Sequence, residues 1–348
     1  MRMKRLGNVW DCILADENIE YAYGRAKKGK MWQKKVKRID KEKDRYLAEL
    51  KQSLVDRTFH TSPYRTKWIY EPKAREIYIL PFYPDRIVQH AVMAYVAPDW
   101  DRRMYYHSYS CRAGKGQHAG SMVTMKYVRR NRYCLQCDVS KFYPSIVHEL
   151  LYHQVQRLVK DPNVLWLLKD IIFSSGGEKN VPIGNYTSQW FGNLYLTPLD
   201  YRIKQEHRIG DYVRYCDDFL AFSNDKHQLQ VLARDVERYL GEEYQLKLSK
   251  CELFHTSQGV DFLGYRHFPD GKVLVRKTTA KRIWKNLWQI PYLFQNGFIT
   301  AEQAVSKVAS AQGWLKYANT HNLKVAMRFD ELYEEVKSYG EEVLGFCC

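Results

Sequence analysis

Tyr46, Leu47, Leu50 and Leu54 recur three and four residues apart in "KEKDRYLAELKQSLVDRTF", the spacing of one buried helix face. The chain up to about residue 60 reads as mostly helical. Beyond it, "TKWIYEPKAREIYILPFYPDRIVQHAVMAYVAP" changes period. Trp68 and Tyr70, then Ile77 and Ile79, alternate about a charged turn at Pro72 to Arg75, which predicts a hairpin. Asp85 is placed to cap a helix running to about Val96. "YCLQCDVSKFYPSI" predicts a buried strand entering a turn and helix, and "NVLWLLKDIIF" a short apolar helix. Apolar residues at 190, 191, 194, 195, 199 and 203 form a buried helical face, with Pro198 as an expected kink. "DYVRYCDDFLAFSND" reads as two short strands, "QLQVLARDVERYLGEE" as an amphipathic helix, and "GVDFLGYRHFPDGKVLVRK" as strand, Asp-Gly turn, strand. "TTAKRIWKNLWQI" opens with a threonine cap and ends before Pro291, and the remainder is helical. Helices and strands interleaved around a small antiparallel sheet, followed by a helical unit, make an α+β pattern.

Size and charge narrow the class. The 348 residues, 45% hydrophobic and 14% aromatic, suffice for a sizeable core and exclude a disordered chain. No apolar run approaches the ~20 residues of a membrane span, and Asp11 interrupts the apolar stretch after the basic N-terminus, so neither a membrane segment nor a signal peptide is expected. The net charge is +16, and the segment from Gly24 to Arg45 alone carries +8, eleven Lys/Arg against three Asp/Glu. A second run, Lys272 to Lys285, holds six Lys/Arg and no acid. Two basic runs flanking an acid-centred core favour a polyanion partner over solvated faces, and over membrane headgroups for want of an apolar anchor. The eight cysteines are scattered. Cys134 and Cys137 form a lone CxxC that no second pair completes as a zinc set, and Cys347–Cys348 are an oxidation-prone tail, so a reducing, cytoplasmic setting is expected.

The chemistry centres on "YCDDFL", where Asp217 and Asp218 sit between apolar neighbours. Aspartate is also at home in turns. Asp138, at the end of the apolar strand in "CLQCDVSKFYPSI", changes the weighting. A strand end and a hairpin tip that both carry carboxylates can gather them at one point, and hard oxygen ligands select Mg²⁺ or Mn²⁺. Two such ions serve phosphoryl transfer.

"YCDDF" resembles the YxDD box of reverse transcriptases, and "CDVSKFYPSI" resembles their first catalytic box. "EPKAREIYI", "YSCRAGKGQHAG", "VPIGNYTSQ", "LKLSKCE" and "VDFLGYR" follow the order of that family's further boxes. The resemblance implies a right-hand polymerase: a basic helical extension over 1–64, fingers and palm over 65–270, and a helical thumb over 271–348. It implies that Asp138 and Asp217 bind two Mg²⁺ ions, Mn²⁺ being a substitute, with Asp218 completing the acidic cluster and the Val139 carbonyl as a further ligand. Lys73 and Arg75 would meet the triphosphate of the incoming dNTP; their alternative use is a charged β-turn. Tyr143 would lie under the sugar and exclude a 2′-hydroxyl, with Phe142 packing in the core, although the two roles are interchangeable on sequence alone. Arg112 would contact template or nucleotide. Leu263 and Gly264 would grip the primer end, Gly264 allowing close backbone approach. Lys250 is the candidate general acid for pyrophosphate, with Lys247 as competitor. Gln89 and His90 read as structural polar residues.

"PIGNYTSQ" departs from the QGxxxSP-like box of most intron-type and retroviral enzymes: Ile183 replaces Gln and Gln189 replaces Pro around Gly184. This IGxxxSQ form, together with "DRIVQHAV", "KTTAKR" and "GWLKYANTHNL", resembles the reverse transcriptases of diversity-generating retroelements. That resemblance implies a bacterial or phage-encoded enzyme that copies a template RNA into cDNA with errors at adenines, for mutagenic retrohoming into a variable repeat, working with a small basic helical-bundle accessory protein. It also implies that the basic segments grip template RNA or the RNA/DNA hybrid. Rival readings are a phage-defence or intron-related reverse transcriptase, a non-catalytic RNA-binding module, which three intact acidic positions disfavour, and an RNA-templated RNA polymerase, which Tyr143 disfavours.

Overall fold

The computed structural model describes residues 4–70 and 74–344, the side chains of 340–344 excepted; Lys73 and the Cys347–Cys348 pair lie outside the described residues. The N-terminal pattern becomes four helices, Trp10–Leu14, Asp16–Lys27, Lys34–Lys41 and Lys43–Val55. Tyr46, Leu47, Leu50 and Leu54 are all buried. The hairpin forms from β1 (Arg65–Ile69) and β2 (Arg75–Ile79), antiparallel, with Lys67 opposite Ile77. Its alternation sets the strands but not a buried face: β1 is exposed throughout, and Trp68 stacks on Tyr70 in solvent. Asp85 does not cap the next helix, Ile87–Arg103. It lies in a π-turn before it, buried, and accepts a hydrogen bond from the Ser62 backbone N–H at 2.8 Å.

The central sheet has the order β4-β5-β3-β6, from β3 (Tyr133–Val139), β4 (Asp211–Tyr215), β5 (Asp218–Ser223) and β6 (Leu248–His255). β4 and β5 are the hairpin read around "YCDDF", and β3 is the buried strand expected to end in Asp138. The apolar helix Pro162–Phe173 is capped by Asp161, whose side chain accepts from the Asn163 and Val164 amides. Helix Tyr186–Gln205 runs on through Pro198.

The chain forms two compact units. One unit comprises 1–114, 136–220 and 230–252, and the other 115–135, 221–229 and 253–348. The first 64 residues thus belong to the same unit as the hairpin and Asp138. Asn18 explains part of this: its amide donates to the carbonyls of Ile13 and of Ala91 on helix Ile87–Arg103.

The second unit is built on β7 (Val260–Phe262), β8 (Tyr265–His267) and β9 (Val273–Val275), a three-stranded antiparallel sheet. The sequence reading found the Asp270-Gly271 turn but missed the tight Leu263-Gly264 turn, where both residues have positive φ, +53° and +83°. Helices Lys277–Trp288 and Ala301–Leu315 bury Ile283, Leu287, Ala304 and Val308 in one apolar core. The threonine cap expected at the first of these is absent, since Arg276 occupies the cap position. A capping box of Thr300 and Gln303 starts the second.

Candidate active site

The order β5-β3-β6 carries the site's logic. With β3 between β5 and β6, the Val139 N–H donates to the Asp217 carbonyl at 3.3 Å and the Ser140 N–H to the Lys247 carbonyl at 2.8 Å. The end of β3 is therefore laid beside the tip of the β4–β5 hairpin, and Asp138 and Asp217, 79 positions apart in the chain, become neighbours. Each is half buried. Burial is the main cause that raises the Asp217 carboxyl above its ordinary range, and the negative charge of Asp138 adds to it, while the positive charge of Arg75 at the start of β2 pulls the other way. Arg75 thus acts on Asp217 through its charge.

Ser249, which the sequence reading did not single out, donates its hydroxyl to Asp138 Oδ2 at 2.6 Å and to the Asp138 carbonyl at 3.1 Å. Its only signal was position, between the two candidate lysines in "LKLSKCE", and it became visible once β6 paired with β3. Lys250 donates to Gln136 Oε1 at 3.0 Å and pairs with Glu252 at 3.1 Å, whereas Lys247 is exposed.

Asp218 opens β5, half buried, with one carboxylate oxygen sealed from solvent. Among the described residues, no group of three or more His, Cys, Asp or Glu side chains stands at metal-binding spacing. Two neighbouring carboxylates still suit Mg²⁺, which is typically held by one or two carboxylates and completes its octahedron with water and substrate phosphates.

Phe142 is buried in the core and Tyr143 is half buried. Both rings lie against Gly192 of helix Tyr186–Gln205, where an added Cβ would stand 3.0 Å from Tyr143 and 3.1 Å from Phe142. The Tyr143 hydroxyl meets Cys216 Sγ at 3.2 Å, and burial holds its phenol well above the usual range. The Ile183-Gly184 loop docks on β2: the Tyr78 N–H donates to the Ile183 carbonyl at 2.8 Å, and Gly184 has φ +125°. Gln189 is exposed on the first turn of the following helix. Gln89 and His90 serve that turn, Gln89 accepting from the Tyr186 N–H at 3.0 Å and His90 stacking on the Tyr186 ring.

Two expected contact residues also have partners within the fold. Arg112 is buried, and its guanidinium donates to Asp101 Oδ1 at 2.5 Å and to the carbonyls of Asp101, Tyr105 and Ser108 at 3.0, 2.7 and 3.0 Å. It holds its own loop with four of its five N–H donors. Gly264 does provide a close approach, but to the Trp314 ring, which would lie 2.7 Å from an added Cβ. Leu263 precedes it in the same turn, half buried.

Residues 71–267 match the family model described as reverse transcriptase (RNA-dependent DNA polymerase). Protein YkfC of Escherichia coli (strain K12) is 24% identical over 258 residues, an alignment covering 60% of this chain and 68% of that protein. No helix among the described residues is long and apolar enough to cross a membrane.

Proposed function

Since this chain belongs to the reverse transcriptase family, we propose that it is the polymerase of a diversity-generating retroelement, copying a template RNA into cDNA with errors concentrated at adenines for insertion into a variable repeat. The coarser activity, RNA-directed DNA polymerisation, comes with the family. In this reading Asp138 and Asp217 hold Mg²⁺, which when bound supplies charge neutralisation and activation of the primer hydroxyl. Ser249 fixes the Asp138 carboxylate, Arg75 and Lys73 draw in the triphosphate, and the Tyr143 ring excludes a 2′-hydroxyl. Template RNA is the polyanion for the basic N-terminal segment, and a small basic helical bundle is the expected accessory protein.

The observation that carries the finer reading is Ile183, set beside β2 in the IGxxxSQ loop. An amide side chain at that position can hydrogen-bond and restrain a nascent base pair, whereas isoleucine offers shape alone. One lost hydrogen bond is worth roughly 0.5–1.5 kcal/mol, about two- to tenfold in selectivity. Sequencing cDNA made on a defined RNA should show misincorporation opposite adenine falling about two- to tenfold in Ile183→Gln, with errors at other bases unchanged. An unaltered error spectrum ends this account.

A further inference from the structure

An ion pair buried under the Cys216–Asp217 turn has no place in the chemistry described so far. Tyr212 and Arg214 share one face of β4, and Asn193 and Asp200, seven residues apart, share one face of helix Tyr186–Gln205. Arg214 and Asp200 are both fully buried. Arg214 Nε and Nη2 donate to the two oxygens of Asp200 at 2.7 and 2.6 Å, and the Tyr212 hydroxyl adds a bond to Oδ1 at 2.8 Å. The remaining donors go to Asn193 Oδ1 at 3.3 Å, the Asn193 carbonyl at 3.2 Å and the Cys216 carbonyl at 3.0 Å. All five guanidinium N–H groups are thereby used.

The backbone of Arg214 is held as firmly. Its N–H donates to the His107 carbonyl at 3.0 Å and its carbonyl accepts from the Tyr109 N–H at 2.9 Å. That segment is the loop tied down by Arg112, and Asn193 Nδ2 reaches its Ser110 carbonyl at 2.7 Å. Two arginines are thus nested: Arg112 fixes a loop, the loop fixes β4, and the Arg214 side chain fixes the peptide leading into Asp217.

Stability is a weak reason for such a pair. Replacing a buried ion pair with apolar residues of similar volume is often neutral or stabilising. What apolar residues cannot do is hold a carbonyl. Cys216 is a non-glycine residue at φ +58°, a conformation that needs outside support. Burial alone would lower the Arg214 guanidinium's affinity for its proton, and the adjoining Asp200 carboxylate more than reverses that, so the cation is permanent.

We propose that Arg214, anchored by Asp200, is a positioning residue for DNA synthesis: by gripping the Cys216 carbonyl it fixes the turn that presents the Asp217 carboxylate beside Asp138. The proposal rests on the reading of Asp217 as a metal-holding acid, and Asp217→Asn tests that reading separately.

Two variants remove the grip. Arg214→Lys keeps the charge for Asp200, but its compact ammonium cannot span both Asp200 and the Cys216 carbonyl. Asp200→Leu/Arg214→Met replaces the pair with apolar volume. Each would be measured for thermal melting, for Mn²⁺ binding without nucleic acid from the paramagnetic resonance signal of free Mn²⁺, and for kcat and dNTP KM per folded molecule. The expected result is folded protein that binds Mn²⁺ several-fold more weakly, with kcat about 10- to 100-fold lower and KM within about threefold. A merely structural pair would move the melting temperature and leave Mn²⁺ affinity unchanged. Either folded variant keeping Mn²⁺ affinity and kcat within about twofold of the parent overturns the proposal, as does failure of both to fold. If Asp217→Asn itself retains synthesis, the metal-site reading fails first; if it loses synthesis while Arg214→Lys does not, only the positioning role fails.

Discussion

Replacing Gly184 with alanine puts a methyl group where the loop of the IGxxxSQ box meets β2. The added Cβ would stand 2.3 Å from the Tyr78 carbonyl oxygen and 3.2 Å from Ile77 Cγ2, against 3.4 Å for the start of ordinary contact. A flexible side chain could yield, but the nearest obstacle is backbone, so the strand or the loop must move by about 1 Å. Two costs follow. A side chain at φ +125° is strained by about 1–3 kcal/mol. Separation also breaks the 2.8 Å bond from the Tyr78 N–H to the Ile183 carbonyl, which contributes about 0.5–1.5 kcal/mol. Together they weaken docking of the β1–β2 hairpin on the loop by about 2–4 kcal/mol.

Amide hydrogen exchange reads that quantity at the bond itself. At about 1.4 kcal/mol per decade, the Tyr78 N–H should exchange about 30- to 800-fold faster in Gly184→Ala. Because β2 begins at Arg75, which acts on Asp217 through its charge, dNTP KM should rise in the same variant. Exchange at Tyr78 within about threefold of the parent would show that the loop takes up a Cβ without releasing β2, and the steric reasoning would fall.

Asp217→Asn should separate function from stability. Burial and the Asp138 charge raise the Asp217 carboxyl, so the stability this group contributes is fully present below its unfolded-state value and is lost as pH rises through the higher folded-state value. In EDTA at neutral pH the variant should melt above the parent, the gap should close as the parent protonates on acidification, and DNA synthesis should be lost; a lower melting temperature at pH 8 would contradict the assignment. A third test concerns Trp32, 75% exposed in the lysine-rich segment where Lys34, Lys35 and Lys37 are also exposed. Lys34→Gln/Lys35→Gln/Lys37→Gln should flatten the slope of log K against log salt on single-stranded RNA by about 2. Trp32→Ala should weaken binding by about 1–3 kcal/mol at unchanged slope. Equal loss on duplex RNA would remove the stacking role.

What the sequence displayed was local and periodic. Helical spacing marked the residues buried at Tyr46 to Leu54, and an apolar strand ending in Asp138 stood out from its surroundings. A strand end and a hairpin tip that both carry carboxylates suggested the adjacency of Asp138 and Asp217, and β3 lying beside β5 produces it. Ser249 was invisible because its partner lies on another strand, and register across strands is not written in either strand alone. Gly264 was noticed as a glycine, but its need arises from Trp314, fifty residues on. The face of a strand was equally hidden: β1 alternates correctly and is buried on neither side.

Arg112 is the instructive case, because its chemistry permitted both outcomes. An arginine in a glycine-bearing loop offers five donors, and sequence cannot say whether phosphate or carbonyl takes them. In the folded chain, Asp101 and the carbonyls of its own loop lie closest and take four of the five N–H groups. The same competition separates Arg214 from Arg75. Arg214 is enclosed by a helix and a hairpin and spends every donor inward, whereas Arg75 stands exposed at the start of β2 and acts on Asp217 through its charge. Arg214, with every donor spent inward, builds the site, whereas the Arg75 guanidinium is still open to solvent.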